Sequence, residues 1–253
     1  STYVQDDISL FEDLLKFQMG LRYENPDDYD TVLNPKAGVL GKITPDLILK
    51  VFYQEGWKSP ELGWWGTDSN SDIEPEETKA WENELVYKIK EKLVLKWGNS
   101  IAETSGEIKT ITSSTNIMTA RKEDSIDIFT SNISLDYLYQ KGSIFLMYTY
   151  NNLDQKSDLK SNEVLEVLDD YMPMHSASLG ISYNLLENTR ASLLARYIGE
   201  RRAFNALVPE SEQSYPYYGG MGFAPYTYEE LLLFNFSLCI QGDNWEWENK
   251  IYN

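Results

Sequence analysis

Apolar and polar residues alternate with a period of two along much of the chain. Residues 14–24 read LLKFQMGLRYE, in which apolar and polar positions take turns from Leu15 to Glu24. Successive side chains of a β-strand point to opposite faces of a sheet, so this pattern predicts a strand with one apolar and one polar face. The apolar face contacts either a protein core or lipid, and the pattern is compatible with both.

The same alternation recurs in about twelve segments. The clearest examples are residues 35–43, 47–54, 81–89, 93–97, 177–185 and 189–199. Several of them approach the roughly 9 to 11 residues that a tilted strand needs to cross a membrane. The sequence therefore predicts an all-β fold of antiparallel strands.

Connections between the predicted strands alternate between short and long. The long ones fall at about residues 25–30, 56–77, 104–123, 152–173 and 200–227. The short ones lie between them, near Glu12-Asp13, Thr44-Pro45-Asp46, Lys90-Glu91, Gln140-Lys141-Gly142, Glu187-Asn188 and Gly242-Asp243. Outer-membrane barrels have short periplasmic turns and long external loops, whereas a Greek-key sandwich has no such rule. The order favours an antiparallel transmembrane β-barrel.

The two predicted faces differ in chemistry. One face carries charges that are too numerous for the interior of a soluble sandwich but suit a water-filled lumen: Lys16, Arg22, Lys36, Lys50, Glu82, Lys88, Arg190 and Arg196. The other carries tyrosines toward the strand ends, as the aromatic girdles of membrane barrels do: Tyr23, Tyr53, Tyr87, Tyr183 and Tyr197. The alternative, that tyrosines and charges cover the solvent side of a curved soluble sheet, stays open.

Composition limits the possible functions. The 253 residues carry a formal net charge of −18, which disfavours nucleic acid as a partner because like charges repel. One cysteine, Cys239, excludes an internal disulfide, and the single histidine, His175, has no neighbouring His or Cys to form a metal site. We find no acid–base pair, no nucleophile with a histidine partner and no phosphate-binding glycine loop, so we predict neither an enzyme nor a bound cofactor.

Five sequence elements are spread over nearly the whole chain, and they occur in the same order as in one family of proteins. Leu21-Arg22-Tyr23 ends a strand and leads to a strand that begins with Asn34-Pro35-Lys36. The element WKSP at residues 57–60 follows, and EPEET at residues 74–78 then precedes WENEL at residues 81–85. Later, YMPMHSASLGISYNL opens a strand with Pro-x-His, and the chain closes with KIYN. Together these elements resemble the barrel of a TonB-dependent outer-membrane receptor.

The resemblance implies a 22-stranded barrel filled by a globular plug. A signal peptide, a TonB box and a plug are not found in this sequence, and KIYN stands inside the family's Asn-Leu-Phe-Asp strand, before the last strand. We therefore expect residues 1–253 to form a partial transmembrane barrel of about twelve strands, without the plug and the last strand. We expect this piece alone neither to close nor to transport, since open strand edges are not tolerated in lipid.

The resemblance also implies a function. Receptors of this family import scarce nutrients such as ferric siderophores, haem or cobalamin across the outer membrane of Gram-negative-type bacteria. The implied partners are a small-molecule or metal-chelate ligand, outer-membrane lipid, and TonB through the plug region. Two other classes stay open: a passive porin or adhesin barrel, and a soluble carbohydrate-binding β module.

Candidate ligand-binding residues lie in two of the predicted long loops. The loop GWKSPELGWWGTDSNSD contains three tryptophans, Trp57, Trp64 and Trp65. Aromatic side chains give a large contact area in capture sites. An alternative role for Trp57, together with Pro60, is to fix the loop to the barrel rim.

The second candidate loop spans about residues 200–228 and contains Arg201, Arg202, Tyr215, Tyr217 and Tyr218. Arginines recognise anions through two parallel hydrogen bonds, so this loop is a candidate site for an anionic ligand. The arginines could instead offset nearby acids such as Glu200 and Glu210, and the tyrosines could pack their own loop.

Overall fold

The computed structural model describes residues 1–26, 30–58, 75–105, 108–112, 118–122, 125–156, 172–207, 223–242 and 244–252. Within these ranges the chain forms sixteen strands. Their bounds are β1 Thr2–Leu10, β2 Leu15–Glu24, β3 Val32–Thr44, β4 Leu47–Lys58, β5 Glu76–Lys90, β6 Leu93–Ser105, β7 Ile108–Thr112, β8 Met118–Lys122, β9 Ser125–Tyr139, β10 Gly142–Lys156, β11 His175–Leu186, β12 Thr189–Ile198, β13 Arg201–Leu207, β14 Phe223–Tyr228, β15 Leu231–Gln241 and β16 Glu246–Tyr252.

Twelve strands form one antiparallel sheet in the order β1-β2-β3-β4-β5-β6-β9-β10-β11-β12-β15-β16. Each strand therefore pairs with its neighbours along the chain once the two small hairpins, β7–β8 and β13–β14, are set aside. Within the described residues β1 and β16 occupy the two edges, so the sheet is not closed. The predicted twelve antiparallel strands are confirmed.

Five of the six predicted short connections are confirmed as tight turns, and the sixth, Gly242-Asp243, lies partly outside the described residues. Five of them are turns at residues 11–14, 45–46, 91–92, 140–141 and 187–188. Three hairpins contain a register shift beside the turn, between Lys42 and Thr44, Lys88 and Lys90, and Asn184 and Leu186. Such bulges add local twist to a strand. Because successive strands of the sheet are antiparallel, the short connections all lie at the same end of the sheet, which we call the turn end.

Two of the predicted long connections contain strands of their own. The segment 104–123 includes the hairpin of β7 and β8, and the segment 200–227 includes the hairpin of β13 and β14. Both segments still connect strands of the twelve-stranded sheet, as predicted, but the strands within them, such as IKTIT at residues 108–112, were not predicted. At five residues this hairpin strand is too short for periodicity to separate it from a loop.

The sheet has almost no core of its own. Among the described residues Ala80 is the one hydrophobic residue that is buried, at 8% exposure. Large apolar side chains such as Trp81, Ile101 and Leu146 are about half exposed, at 57%, 54% and 48%. A single sheet of this kind needs an apolar environment outside the chain to cover them.

Candidate functional site

Directly opposed residues of antiparallel strands point to the same side of a sheet, so the strand registers define its two faces. One face, here called the apolar face, carries a continuous row in which Leu95, Leu135, Leu146, Leu179 and Ala195 oppose one another on five adjacent strands. The residues between them form the polar face. The predicted alternation from Leu15 to Glu24 follows the same division, since Phe17 opposes Ile8 and Val39 while Gln18 opposes Asp7 and Gly38.

The polar face is the basic part of an acidic chain. Its cations on the described strands are Lys16, Arg22, Lys36, Lys42, Lys50, Lys58, Lys88, Lys96, Arg190, Arg196 and Lys250. They outnumber its acids, which are Asp7, Glu24, Glu76, Glu82, Glu84, Asp136, Glu246 and Glu248. Because the whole chain carries a net charge of −18, the acidic excess lies elsewhere, in the turns, the loops and the apolar-face rim.

Ion pairs join neighbouring strands on the polar face. The Lys50 ammonium lies 2.5 Å from the carboxylate of Glu84, its direct partner on β5, and Lys96 lies 2.8 Å from Asp136 on β9. Their side chains are between 32% and 42% exposed, so water screens both pairs. These pairs fix side-chain positions on a wet surface.

The apolar face ends in charges on the side away from the turn end. Glu55, Lys79, Glu103, Asp127 and Asp154 form one register row across five strands. The next row toward the turn end is largely aromatic and apolar, and in it the rings of Tyr53 and Trp81 lie 4.5 Å apart. The strand registers thus place this charged row, here called the charged rim, directly beside the apolar rows, here called the apolar band.

A second group of rings lies at the turn end of the apolar face. The Tyr137 and Tyr139 rings are 6.0 Å apart, and the Tyr139 and Tyr183 rings are 6.2 Å apart. The Tyr139 hydroxyl donates a hydrogen bond to the backbone carbonyl of Ser182 at 2.9 Å. Tyrosines therefore stand at both ends of the apolar band, as predicted for Tyr53 and Tyr183.

His175 opens β11, as the sequence predicts, and it lies among tyrosines. Its Nδ1 atom is 2.7 Å from the Tyr148 hydroxyl, and its ring is 5.4 Å from that of Tyr150. Among the described residues no group of three or more His, Cys, Asp or Glu side chains is arranged to hold a metal ion. His175 lies beside the rings of Tyr148 and Tyr150 on the apolar face.

The predicted ligand-binding residues fall partly within the described chain. Trp57 is half-buried near the end of β4, opposite Glu77. The Arg201 guanidinium lies over the ring of Tyr228, its partner in the β13–β14 hairpin, at 5.5 Å from the ring centre. This contact keeps Arg201 within its own hairpin, but its predicted role toward a ligand stays a prediction.

The other predicted binding residues cannot be placed. Arg202 lies on the backbone of β13, and its side chain is not described. Trp64, Trp65, Tyr215, Tyr217 and Tyr218 lie outside the described residues. The described residues therefore do not test whether the two predicted clusters lie together, and the candidate capture residues stay predictions.

Periodicity alone did not identify a cavity of about 400 Å³ on the polar face of β10, β11, β12, β15 and β16. Phe145, Gly180 and Arg190 are among its lining residues. The sequence signal was the run of small residues at alternate positions, Ser176, Ser178, Gly180 and Ser182. Small side chains leave space, but only the strand registers show which other residues surround that space.

No helix in the part of the chain that the structure describes is long and apolar enough to cross a membrane.

Cys239 is a free cysteine on β15, and it opposes Arg190 on the polar face.

One family model matches the first strands of the chain. Residues 1–88 match the family model described as TonB dependent receptor-like, beta-barrel. No curated protein matches the chain in sequence.

Solved structures share the fold at low sequence identity. A mutant of the ferric enterobactin receptor PfeA from Pseudomonas aeruginosa superposes with a TM-score of 0.75 at 12% identity, covering 99% of this chain and 38% of that chain. The siderophore receptor PirA from Acinetobacter baumannii gives 0.72 at 13% identity, covering 96% and 39%. The FrpB iron transporter from Neisseria meningitidis gives 0.70 at 12% identity, covering 94% and 37%.

The chain therefore spans about two fifths of the length of these receptors. The predicted antiparallel all-β fold is confirmed, and the predicted resemblance to the β-barrel of TonB-dependent receptors is confirmed by the family match over residues 1–88. Beyond residue 88 the comparisons show the fold, which this chain shares along the whole sheet with part of the barrels of those receptors.

Proposed function

We propose that the protein containing this chain is an outer-membrane importer of a Gram-negative-type bacterium. It takes up a scarce nutrient as a small molecule or metal chelate, and TonB energises the step. The observation that supports this proposal most strongly is the two-faced sheet, because no described residue packs over its apolar face and its polar face carries paired charges. Lipid on one side and a water-filled interior on the other satisfy both faces.

The dimensions of the apolar face support a membrane environment. On β5 the apolar band runs from Trp81 to Ile89 with Asn83 as a polar member, and Lys79, beyond Trp81, belongs to the charged rim. At about 3.3 Å per residue this is about 26 Å along the strand, or about 20 Å along the barrel axis at a tilt of about 40°. That length approaches the apolar band of outer-membrane barrels, which is about 25 Å tall.

The charge of the polar face supports an anionic cargo. Basic residues outnumber acidic ones there, and they would raise the local concentration of anions in the interior. The similar structures are named as an iron transporter, siderophore receptors and a copper transporter. We infer a metal chelate, such as a ferric siderophore, ahead of haem or cobalamin.

Different parts of the protein would capture the ligand and transport it. The long connections would capture the ligand, with Trp57, Trp64, Trp65, Arg201, Arg202, Tyr215, Tyr217 and Tyr218 as the candidate contacts. The sheet would supply the wall of the transport path, and a plug region would couple it to TonB. No bond of the ligand is made or broken in this scheme, so the protein would not be an enzyme.

Uptake into whole cells tests the proposal. The full-length protein is expressed in a host that lacks its own receptors, and uptake of iron-labelled siderophores, haem and cobalamin is measured with and without functional TonB. We expect uptake of one ligand class that stops when TonB is absent. Uptake that is the same in both hosts would favour a passive porin, and a protein that needs no detergent for extraction would favour a soluble module.

A further inference from the structure

Two asparagines interrupt the apolar face at the same register position of β5 and β6. Asn83 and Asn99 are direct partners in the β5–β6 register. Trp81 and Ile101 form the next pair on this face and separate the asparagines from the charged rim. On the other side of the asparagines the face continues with Leu85 and Trp97. The apolar band therefore contains a pair of amides with apolar rows on both sides.

The amide pair has hydrogen-bonding groups left over. The Nδ2 atom of Asn99 donates a hydrogen bond to Oδ1 of Asn83 at 3.1 Å. Each asparagine amide has two N–H donors and a carbonyl acceptor. One bond between two amides thus leaves an NH2 group on Asn83 and a carbonyl oxygen on Asn99. Lipid tails cannot bond to either group, whereas polar side chains of membrane proteins bond to one another across interfaces.

The two remaining groups are complementary to each other in a second copy of the chain. A two-fold axis would bring the Asn83 NH2 group of each copy to the Asn99 carbonyl of the other. Two copies in one bilayer have the same orientation, so the axis is parallel to the membrane normal and residues at equal heights face each other. Opposed residues on strands about 4.8 Å apart and tilted by about 40° differ in height by about 3 Å. Two asparagine side chains can span that difference.

The apolar side chains around the amides are complementary in the same way. Trp81 opposes Ile101 on one side of the pair, and Trp97 opposes Leu85 on the other. The two-fold axis would therefore set each tryptophan against an aliphatic side chain of the second copy. Trp81, Ile101 and Trp97 are 57%, 54% and 49% exposed, so they are available for such a contact. Buried tryptophans provide much of the binding energy of protein interfaces.

Both tryptophans are already held in place within one copy. The ring of Trp81 lies 4.5 Å from the ring of Tyr53. The Nε1 atom of Trp97 donates a hydrogen bond to the Ser131 hydroxyl at 3.3 Å. Side chains that are ordered before association lose little further freedom on binding, which lowers the cost of forming an interface. The surface is therefore arranged before a partner arrives.

We propose that this part of the apolar face, the outward side of β5 and β6, docks a second copy of the same protein. The contact would be a two-fold dimer interface with the asparagine amides at its centre and the two tryptophans beside them. The inference rests on the proposed function only in requiring that the apolar face lies in a bilayer. The polar face takes no part in the contact, so the barrel interior stays as it is in a single copy.

Energy transfer between dye-labelled copies of the full-length protein in lipid vesicles tests the interface. The dyes are attached at Glu12→Cys, in the short turn before β2, in a Cys239→Ser background. The variants are Asn83→Leu and Asn99→Leu. Asn249→Leu is the matched control, because Asn249 is on the apolar face of β16, six strands from β6. Leucine is favourable in lipid, so all three variants should insert, and heat-modifiable electrophoretic mobility checks that they are folded.

We expect energy transfer that rises with the protein-to-lipid ratio and levels off at the value for pairs. Asn83→Leu or Asn99→Leu removes both reciprocal amide contacts of the dimer, so either should raise its dissociation constant about tenfold. Asn249→Leu should leave the constant unchanged. A mixture of Asn83→Leu copies with Asn99→Leu copies should recover most of the association, because one amide contact forms again and two leucines meet at the other.

Three results would overturn the inference. They are energy transfer no greater than random encounter gives, an equal loss in Asn249→Leu, and a mixture that associates no better than the single variants. A protein that does not insert into vesicles would overturn the proposed function together with the inference, whereas an inserted protein that stays monomeric would overturn the inference alone. Uptake by whole cells tests the importer proposal independently of this interface.

Discussion

Phe52 lies over Gly38, which is its direct partner in the β3–β4 register on the polar face. A Cβ atom at Gly38 would collide with the Phe52 ring. The same relationship joins Phe145 to Gly180. A glycine without a side chain thus lets the opposing ring lie over the backbone of the neighbouring strand.

Substitution of Gly38 by alanine should destabilise the protein. The added methyl group must displace the Phe52 ring, and overpacking of this kind costs about 1 to 3 kcal/mol. Equilibrium unfolding in urea of the full-length protein in lipid vesicles measures the change. Gly56→Ala is the matched control, because nothing lies within 4 Å of a Cβ atom there. Equal effects of the two substitutions would contradict the packing argument.

Leu146 and Met147 provide a test of the two faces. They are adjacent on β10 and similarly exposed, at 48% and 41%, but Leu146 is on the apolar face and Met147 on the polar face. Leu146→Lys should cost about 2 to 4 kcal/mol in a bilayer, since it places a charge in lipid. Met147→Lys should cost less than about 1 kcal/mol, because its charge reaches water. The same unfolding measurement decides, and a larger loss at Met147 would reverse the assignment of the faces.

The Lys50–Glu84 pair should contribute little to stability despite its short distance of 2.5 Å. Both side chains are about one third exposed, and pairs of this kind contribute less than about 1 kcal/mol. A double-mutant cycle of Lys50→Gln and Glu84→Gln gives the coupling free energy, which should fall further as salt is added. A coupling above about 2 kcal/mol that does not respond to salt would mean that the interior wall is dry.

Asp13 in the first short turn should make stability depend on acid pH. A hydrogen bond from Ser9 and the ammonium of Lys16, 3.3 Å away, lower the pKa of the Asp13 carboxyl below its ordinary value of 3.8. Because the folded pKa is the lower one, the contact stabilises the protein above pH 3.8 and is lost as the pH falls through the folded pKa. Asp13→Asn should abolish this part of the acid dependence in unfolding experiments between pH 5 and pH 2. An unchanged pH profile in the variant would contradict the assignment.

Periodicity predicted the sheet well, because every membrane-type strand must alternate along its whole length. The strand that starts at Leu15 and the one that opens at His175 follow directly from that pattern. The hairpins β7–β8 and β13–β14 were not predicted, since their short strands carry too few alternations.

The interior cavity depends on a different kind of information. Arg190 was predicted to lie on the polar face, but its contact with Ser182 and its neighbour Phe145 come from the registers of three strands. A register is set between strands and is not written in the periodicity of one strand. The loop candidates such as Trp64 and Tyr217 depend on loop conformation, which alternation does not address.

Cysteine accessibility at two adjacent residues tests most directly whether the polar face contacts water while the apolar face contacts lipid. In a Cys239→Ser background, Ile133 on the apolar face and Ser134 on the polar face are replaced one at a time by cysteine in the full-length protein. Each is then treated in membranes with a charged, lipid-insoluble thiol reagent. We expect Ser134→Cys to react and Ile133→Cys to stay unmodified until the membrane is dissolved in detergent. Rapid reaction at Ile133 in intact membranes, with protection at Ser134, would contradict the two-faced barrel.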